Sequence, residues 1–343
     1  MFWKSDCTTL YRIPIIGCGI LILLLTALFL FGSLSRQEQT SYLYIDNDDT
    51  VDSVCVKLRP MAHKVAWNGF CTMARHMGLG RHLHPGRYAI EPGEGAITLF
   101  RRVRSGRQTP LRLTLPCVRT IDRLAGVLGK NLMIDSLQWL EALSNIDTCR
   151  AYHRDSATMI AMFLPNTYEV YWTTSIHQFL QRMQRESDSY WNEQRKQLAE
   201  HLNLTPDQVI TLASIVDEET NATSEKPAVA GMYYNRLHQG MPLQADPTVK
   251  FALKNFEARR VYHSMLTADS PYNTYRYRGL PPGPIRIPTL SGIEAVLNLQ
   301  HHDYLYMCAS PAFDGTHRFA RTYAEHQQNA RAYTQALNQR GIK

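Results

Sequence analysis

With 343 residues and 44% hydrophobic content, the chain is long enough for one large domain or two smaller ones with real cores. Its 19 Gly and 17 Pro are too few for a low-complexity or collagen-like chain, and no internal repeat marks a solenoid or propeller. Past Arg36 the chain has 34 basic and 29 acidic residues, a modest excess of +5 that suits an anionic polymer or a membrane face but decides little by itself, and no nucleic-acid-binding motif accompanies it, which argues against that class of partner.

In chain order, the first signal is residues 13–34, IPIIGCGILILLLTALFLFGSL, which carry no charge. At ~1.5 Å per residue such a helix spans the ~30 Å hydrocarbon core. Lys4 and Arg12 precede it; Arg36 follows, then Glu38, Asp46, Asp48 and Asp49. This bias predicts an uncleaved anchor with the N-terminus inside and the bulk of the chain outside. A cleaved signal peptide is the alternative, but its apolar region is shorter and no clear A-x-A site follows here.

Residues 37–50 read as a polar tether with a short strand at 42–45. A helix is expected over 65–76, and HPGRYAI (84–90) reads as a turn and a strand. ITLFRRVRSG reads as a short helix stopped by Gly106, and LRLTL (111–115) alternates as a half-buried strand does. A small α+β module over 41–116 follows from this pattern. Arg101, Arg102, Arg104 and Arg107 form the densest basic patch, and a solvated basic face explains them at least as well as a binding role.

A helical stretch follows over about 120–151. FLPNTYEVYW (163–172) is aromatic-rich and leads into one long charged helix over 176–202. Thr205-Pro206-Asp207-Gln208 then gives a clean helix start, with a capping Thr, Pro at the first helical position and Gln completing a capping box. A further helix is expected over 224–237. The loops GMPLQADPTVKFAL and SPYNTYRYRGLPPGPIRIP are dense in amide, hydroxyl and aromatic groups, and Gln244, Asp246, Tyr272, Asn273 and Tyr275 stand out in them. Taken singly, each is as readily a turn or core residue.

The helix that starts at Thr205 ends in SIVDEET, with three consecutive acids. On a wheel of 100° per residue, Glu219 falls within the apolar stripe of Val209, Leu212, Ile215 and Val216. Glu218 falls on the polar face, and Asp217 lies on a flank. An acid on an apolar stripe is costly unless paired, hydrogen-bonded or functional, and its burial raises its pKa as a general acid requires. A helix that stops at Asp217, or a buried structural ion pair, accounts for Glu219 equally well at this point.

Of seven Cys, five lie beyond the apolar run, an odd number, and their spacing fits neither a CxxC pair nor a zinc site. No His spacing fits a metal motif. The sequons at Asn203 and Asn221 fall at positions that a helix cap and the acidic motif already explain.

Together, LASIVDEET, VAGMYYNRL, GMPLQADPTV, PYNTYRYRGLPPGPI and THRFA, in this order and spacing, resemble the endolytic murein transglycosylases, the YceG-like family. The resemblance is strong over about 160–330. HPGRYAI with its short helix and SG is similar to the family's LysM-like module, and FLPNTYEVY to its FPDTY segment. The implied fold is α+β. A transmembrane anchor (1–36) precedes a LysM-like module (37–116) and a mixed α/β catalytic domain (117–343).

The implied activity is cleavage of peptidoglycan glycan strands between N-acetylmuramic acid and N-acetylglucosamine, leaving a 1,6-anhydro end. The implied place is the bacterial inner membrane, with the catalytic domain in the periplasm. No cofactor is expected, and peptidoglycan synthases as partners are implied only by the resemblance. The family's catalytic Glu, just before the motif's Thr, is Glu219 here. Its earlier acid is Asp217, and its intervening Lys is Glu218. Its EG pair appears as Cys117-Val118. Gln244, Tyr272, Asn273 and Tyr275 are then expected to hold sugars and Asn235 to orient Glu219. Asp246 is the second-ranked acid, read first as ordering its loop. A binding scaffold without turnover and a hydrolytic muramidase are the competing readings.

Overall fold

The computed structural model describes residues 7–258 and 260–340, with side-chain surroundings from Gly19 onward. It divides into two compact units. One runs through Arg112 and adds Glu169–Thr174; the other comprises Leu113–Tyr168 and the chain from Ser175. The expected anchor is helical in α1 (Cys7–Phe31), but its side chains before Gly19 and residues 1–6 lie outside the described residues. Among the described residues no helix is long and apolar enough to cross a membrane.

In the first unit, β1 (Ser41–Ile45) pairs antiparallel with β2 (Gly86–Ile90), placing Leu43 opposite Tyr88. Between them lie α2 (Val51–Leu58), capped by Thr50, and α3 (Lys64–His76); α4 (Ala96–Arg104) follows. Alternation along the strands and 3.6-residue periodicity along the helices send Leu43, Ile45, Leu58, Phe70, Tyr88 and Leu99 into one core. Cys55 and Cys71 form a disulfide joining α2 to α3. The C-terminal end of α1 lies directly on α3, where a methyl at Gly69 would collide with the Phe29 carbonyl, so glycine is what permits the approach.

β3 (Leu111–Thr114) pairs with β4 (Thr167–Val170). The second unit is mainly helical. α5 (Ile121–Asn131), α6 (Ser136–Ser144) and α7 (Ile146–Ala151) divide the expected helical stretch. Asp135 and Asn145 each cap a new helix, which accounts for the breaks. The single long helix expected over 176–202 is likewise two, α8 (Ile176–Tyr190) and α9 (Glu193–His201), because the Asn192 side chain accepts from the Arg195 N–H and starts a second helix.

α10 (Pro206–Glu219) begins as expected: Thr205 Oγ1 accepts from the Gln208 N–H at 3.3 Å, and Gln208 Oε1 from the Thr205 N–H at 2.8 Å. Every residue of α10 from Val209 to Asp217 is buried. α10 is therefore a central helix enclosed by its neighbours, not an amphipathic surface helix. Those neighbours include α11 (Lys226–His238), α12 (Asp246–Ala252) and α13 (Leu290–Leu297). The GMPLQADPTVKFAL segment, expected as a loop, turns helical at Asp246, where Pro247 suits a first turn. β5 (Tyr306–Ala309) and β6 (His317–Ala320) form an antiparallel hairpin, with Met307 opposite Phe319, and α14 (Tyr323–Gln339) packs on it.

Candidate active site

The three acids at the end of α10 have three different surroundings. Asp217 is the most buried. Its carboxylate pairs with Lys226 Nζ at 2.6 Å, with side chains only 1% and 6% exposed. It also accepts from the Thr289 N–H at 2.5 Å and the Thr289 hydroxyl at 3.1 Å. Lys226 reaches Thr289 Oγ1 and Ser291 Oγ as well. This network ties the end of α10 to the starts of α11 and α13, and a methyl at Gly292 would run into the Asp217 carboxylate.

The wheel predicts that Glu218 faces water, but its side chain is largely covered by two arginines. Arg119 donates to it through both Nε (3.0 Å) and Nη2 (2.8 Å), and Arg286 Nη1 donates at 2.9 Å. The correction has a physical cause: on an enclosed helix the polar face needs ionic partners, and arginine's fork supplies them in bidentate form.

Glu219 keeps the place the wheel assigns, at the apolar side, and lines an open cleft of about 210 Å³. The Tyr233 hydroxyl donates to Glu219 Oε1 at 2.6 Å. Burial pushes the Glu219 carboxyl up to about 6. The Tyr233 hydrogen bond works against that shift, the Asp246 charge adds to it, and His317 and Lys250 oppose it. The result is a carboxyl protonated in a useful fraction near neutral pH and open to the cleft, which is what a general acid requires.

Four residues expected in the site reach this cleft: Glu219, Gln244, Asp246 and Tyr275. Gln244 sits at φ +54°, a left-handed conformation that displays its amide, with Oε1 3.3 Å from Arg236 Nη1. Asp246 accepts from the Tyr275 hydroxyl at 2.6 Å, so the two expected ligands hold each other. Burial, then the Asp246 bond, pushes the Tyr275 hydroxyl well up and keeps it a proton donor.

Three expected residues serve elsewhere. The Asn235 amide donates to the carbonyls of His302 (2.6 Å) and Tyr304 (3.0 Å), and the group on Glu219 is Tyr233 instead. Asn273 is fully buried, its amide bound to the Leu266 and Ala268 carbonyls, so it shapes the loop. Tyr272 packs on Phe251 with ring centroids 4.7 Å apart. In all three cases a side chain rich in hydrogen-bonding or stacking capacity is used within the fold itself.

Sequence reasoning missed Tyr233, Arg236 and the Glu225–His317 pair. Tyr233 and Arg236 are spaced i, i+3 on α11 and so share its cleft-facing side. Arg236 is buried and donates to the carbonyls of Leu305 (2.6 Å), Leu243 (2.8 Å) and Pro242 (3.2 Å), fixing the cleft wall. His317 gives its backbone N–H to Glu225 Oε1 at 2.6 Å and sets Nδ1 2.9 Å from Oε2. The i, i+3 pairing was the one available signal; the distant partners of Arg236 and His317 have none.

A family model described as the YceG-like family matches residues 43–332. Among curated proteins, the chain is 34% identical over 167 residues to an endolytic murein transglycosylase of Bacillus subtilis, covering 49% of this chain and 45% of that protein. It is 31% identical over 169 residues to the protein of that name from Streptococcus pneumoniae serotype 2, covering 48% and 30%. The chain thus spans less than half the length of these curated relatives. A crystal structure of a yceG-like protein from Listeria monocytogenes aligns with a TM-score of 0.56 at 24% identity, covering 85% of this chain and 99% of that one, a likeness of fold. With most of its length matched by the family model, the chain belongs to the YceG-like family.

Proposed function

We propose that the protein is a membrane-anchored endolytic lytic transglycosylase of peptidoglycan, with Glu219 as its acid and then its base. The single observation that carries this reading is the raised, cleft-facing carboxyl of Glu219, bound by one neutral donor, Tyr233. The names of the curated relatives supply the substrate.

In the proposed reaction, Glu219 protonates the glycosidic oxygen leaving C1 of N-acetylmuramic acid as the C1–O bond breaks. The carboxylate so formed takes the proton of that sugar's 6-hydroxyl, and O6 closes on C1. One bond breaks, one forms, the proton returns to Glu219, and no water is consumed. The attack is intramolecular and gains from proximity. At about 210 Å³ the cleft is smaller than the roughly 300–1,000 Å³ of most ligand pockets, so it suits one sugar ring with the strand lying across its mouth. Gln244 and Tyr275 are the expected sugar contacts, and Asp246 holds Tyr275 in place.

For the anchor, the side chains of Ile20–Leu25, Leu28 and Phe31 on α1 are exposed to a degree that water does not favour. The Cys55–Cys71 disulfide favours an oxidising compartment and so a periplasmic location for the bulk of the chain. The run of β1, α2, α3 and β2 is the basis for reading the first unit as a LysM-like glycan-binding module.

Digestion of isolated glycan strands by the full chain, with products weighed by mass spectrometry, tests the function. Anhydro ends that vanish in Glu219→Gln support it. One observation favours a second reading: Asp246 lines the same cleft, and two carboxylates are what a hydrolytic muramidase needs. Reducing ends, lost in Asp246→Asn as well, would establish that reading instead. Strand binding without any cleavage would point to a scaffold.

A further inference from the structure

The first unit carries a second groove of about 500 Å³, between α3 and α4, that the proposed reaction leaves unused. Its floor is apolar: Met73 and Met77 from α3 and its end, Ile97 and Phe100 from α4. Its rim holds Arg101, Arg104 and Arg107. Among the described residues none of these three pairs with a carboxylate. Arg107 reaches only the Ser105 hydroxyl, at 3.3 Å, and Arg104 lies 6.0 Å from the Phe100 ring centroid. The fourth arginine of the patch is different, since Arg102 is bound to Glu94 at 3.0 Å. The patch therefore divides into one structural arginine and three free cations over an apolar floor.

The groove also lies close to α1. Phe29 sits on Gly69 of α3, and Met73 and Met77 follow at about 6 and about 12 Å along that axis. Phe31 sits against Gly95 at the start of α4, two residues before Ile97. Both walls of the groove thus begin at the C-terminal end of α1, where the exposed apolar side chains stop.

We propose that this groove binds an anionic phospholipid of the membrane that α1 enters, with the phosphate on the three free arginines and apolar chain on the methionine and phenylalanine floor. The inference rests on the anchoring reading above and not on the reaction. Charge complementarity and continuity with the apolar surface of α1 favour a lipid over a soluble anion, which would leave the apolar floor wet. Each arginine beside an anionic headgroup contributes roughly fivefold in affinity, so three contribute on the order of a hundredfold.

The test uses the full chain in a neutral detergent and native mass spectrometry with phosphatidylglycerol or phosphatidylcholine. The expected result is one retained phosphatidylglycerol, preferred over phosphatidylcholine. Preference should fall on the order of a hundredfold in Arg101→Gln/Arg104→Gln/Arg107→Gln. Met77→Gln, at a half-exposed position that tolerates a polar side chain, should weaken retention several-fold. Equal retention of both lipids, or undiminished preference in the triple variant, overturns the proposal. So does displacement of the lipid by soluble anionic muropeptides or by inorganic phosphate. Flotation with phosphatidylcholine vesicles reads the anchor separately: preference without flotation would keep the groove and discard the anchor, while flotation without preference would do the reverse.

Discussion

Replacing Glu219 by Gln should abolish turnover and at the same time stabilise the second unit, in a manner that depends on pH. The carboxyl rises from 4.5 to about 6 on folding, because burial disfavours its charged form more than the Tyr233 hydrogen bond supports it. At roughly 1.4 kcal/mol per pH unit this is about 2 kcal/mol. The sign follows from the two protonation states. Below pH 4.5 the group is neutral whether the chain is folded or not, and its stability contribution is fully present. As pH rises through 6 that contribution is lost, since the folded state must then ionise a carboxyl it holds reluctantly.

Gln keeps the shape and still accepts from Tyr233, yet never ionises. The variant should match the wild type near pH 4 and exceed it by about 1–2 kcal/mol at pH 7–8, with the change centred between 4.5 and 6. Hydrogen exchange of the α10 peptide, with both proteins compared at each pH, reads this unit alone and cancels intrinsic exchange rates. An offset that does not vary with pH, or a destabilised variant at pH 8, would refute the assignment of Glu219 as the strained acid.

Tyr233→Phe removes a 2.6 Å donor from the Glu219 carboxylate, so the acid should move above 6 and the limb of the kcat/KM profile that it governs should shift to higher pH by about one to two units, the worth of a charge-assisted hydrogen bond; an unmoved limb would place another group on Glu219. Asp217→Ala leaves the Lys226 ammonium buried without its counter-charge and should cost about 3–5 kcal/mol in urea unfolding, while Asp217→Leu combined with Lys226→Met should recover most of that. Reduction of Cys55–Cys71, which are 16 residues apart, should cost the first unit about 3 kcal/mol by differential exchange while leaving the α10 peptide unchanged.

What was legible in the sequence was local. The Thr205–Gln208 capping box, the short strand at 42–45 and the helix at 65–76 all rest on neighbours in sequence, and they reappear as α10, β1 and α3. The break at Asn192 was missed, because a single capping residue stands inside a charged run that reads as one helix. Ion partners were not legible. Glu218 meets Arg119 from 99 residues away and Arg286 from 68, and nothing in SIVDEET specifies either. The loop residues Asn273 and Tyr272 looked like sugar ligands because the groups that bind a sugar also brace a loop, and only burial tells the two uses apart.

The helix wheel reached Glu219 for a reason that the structure sharpens. It assumed one solvated face, and from Val209 to Asp217 α10 has none, so an acid at the end of that enclosed stretch must be neutralised or left strained. Asp217 is neutralised by Lys226, and Glu218 by two arginines. Glu219 alone of the three, among the described residues, is bound by an uncharged donor and no cation. Its raised pKa comes first from its own burial, which the Tyr233 hydrogen bond only partly offsets. The cations that serve Asp217 and Glu218 thus leave Glu219 to a neutral partner, and burial holds its carboxyl in the range in which one group can give a proton near neutral pH and then take the next.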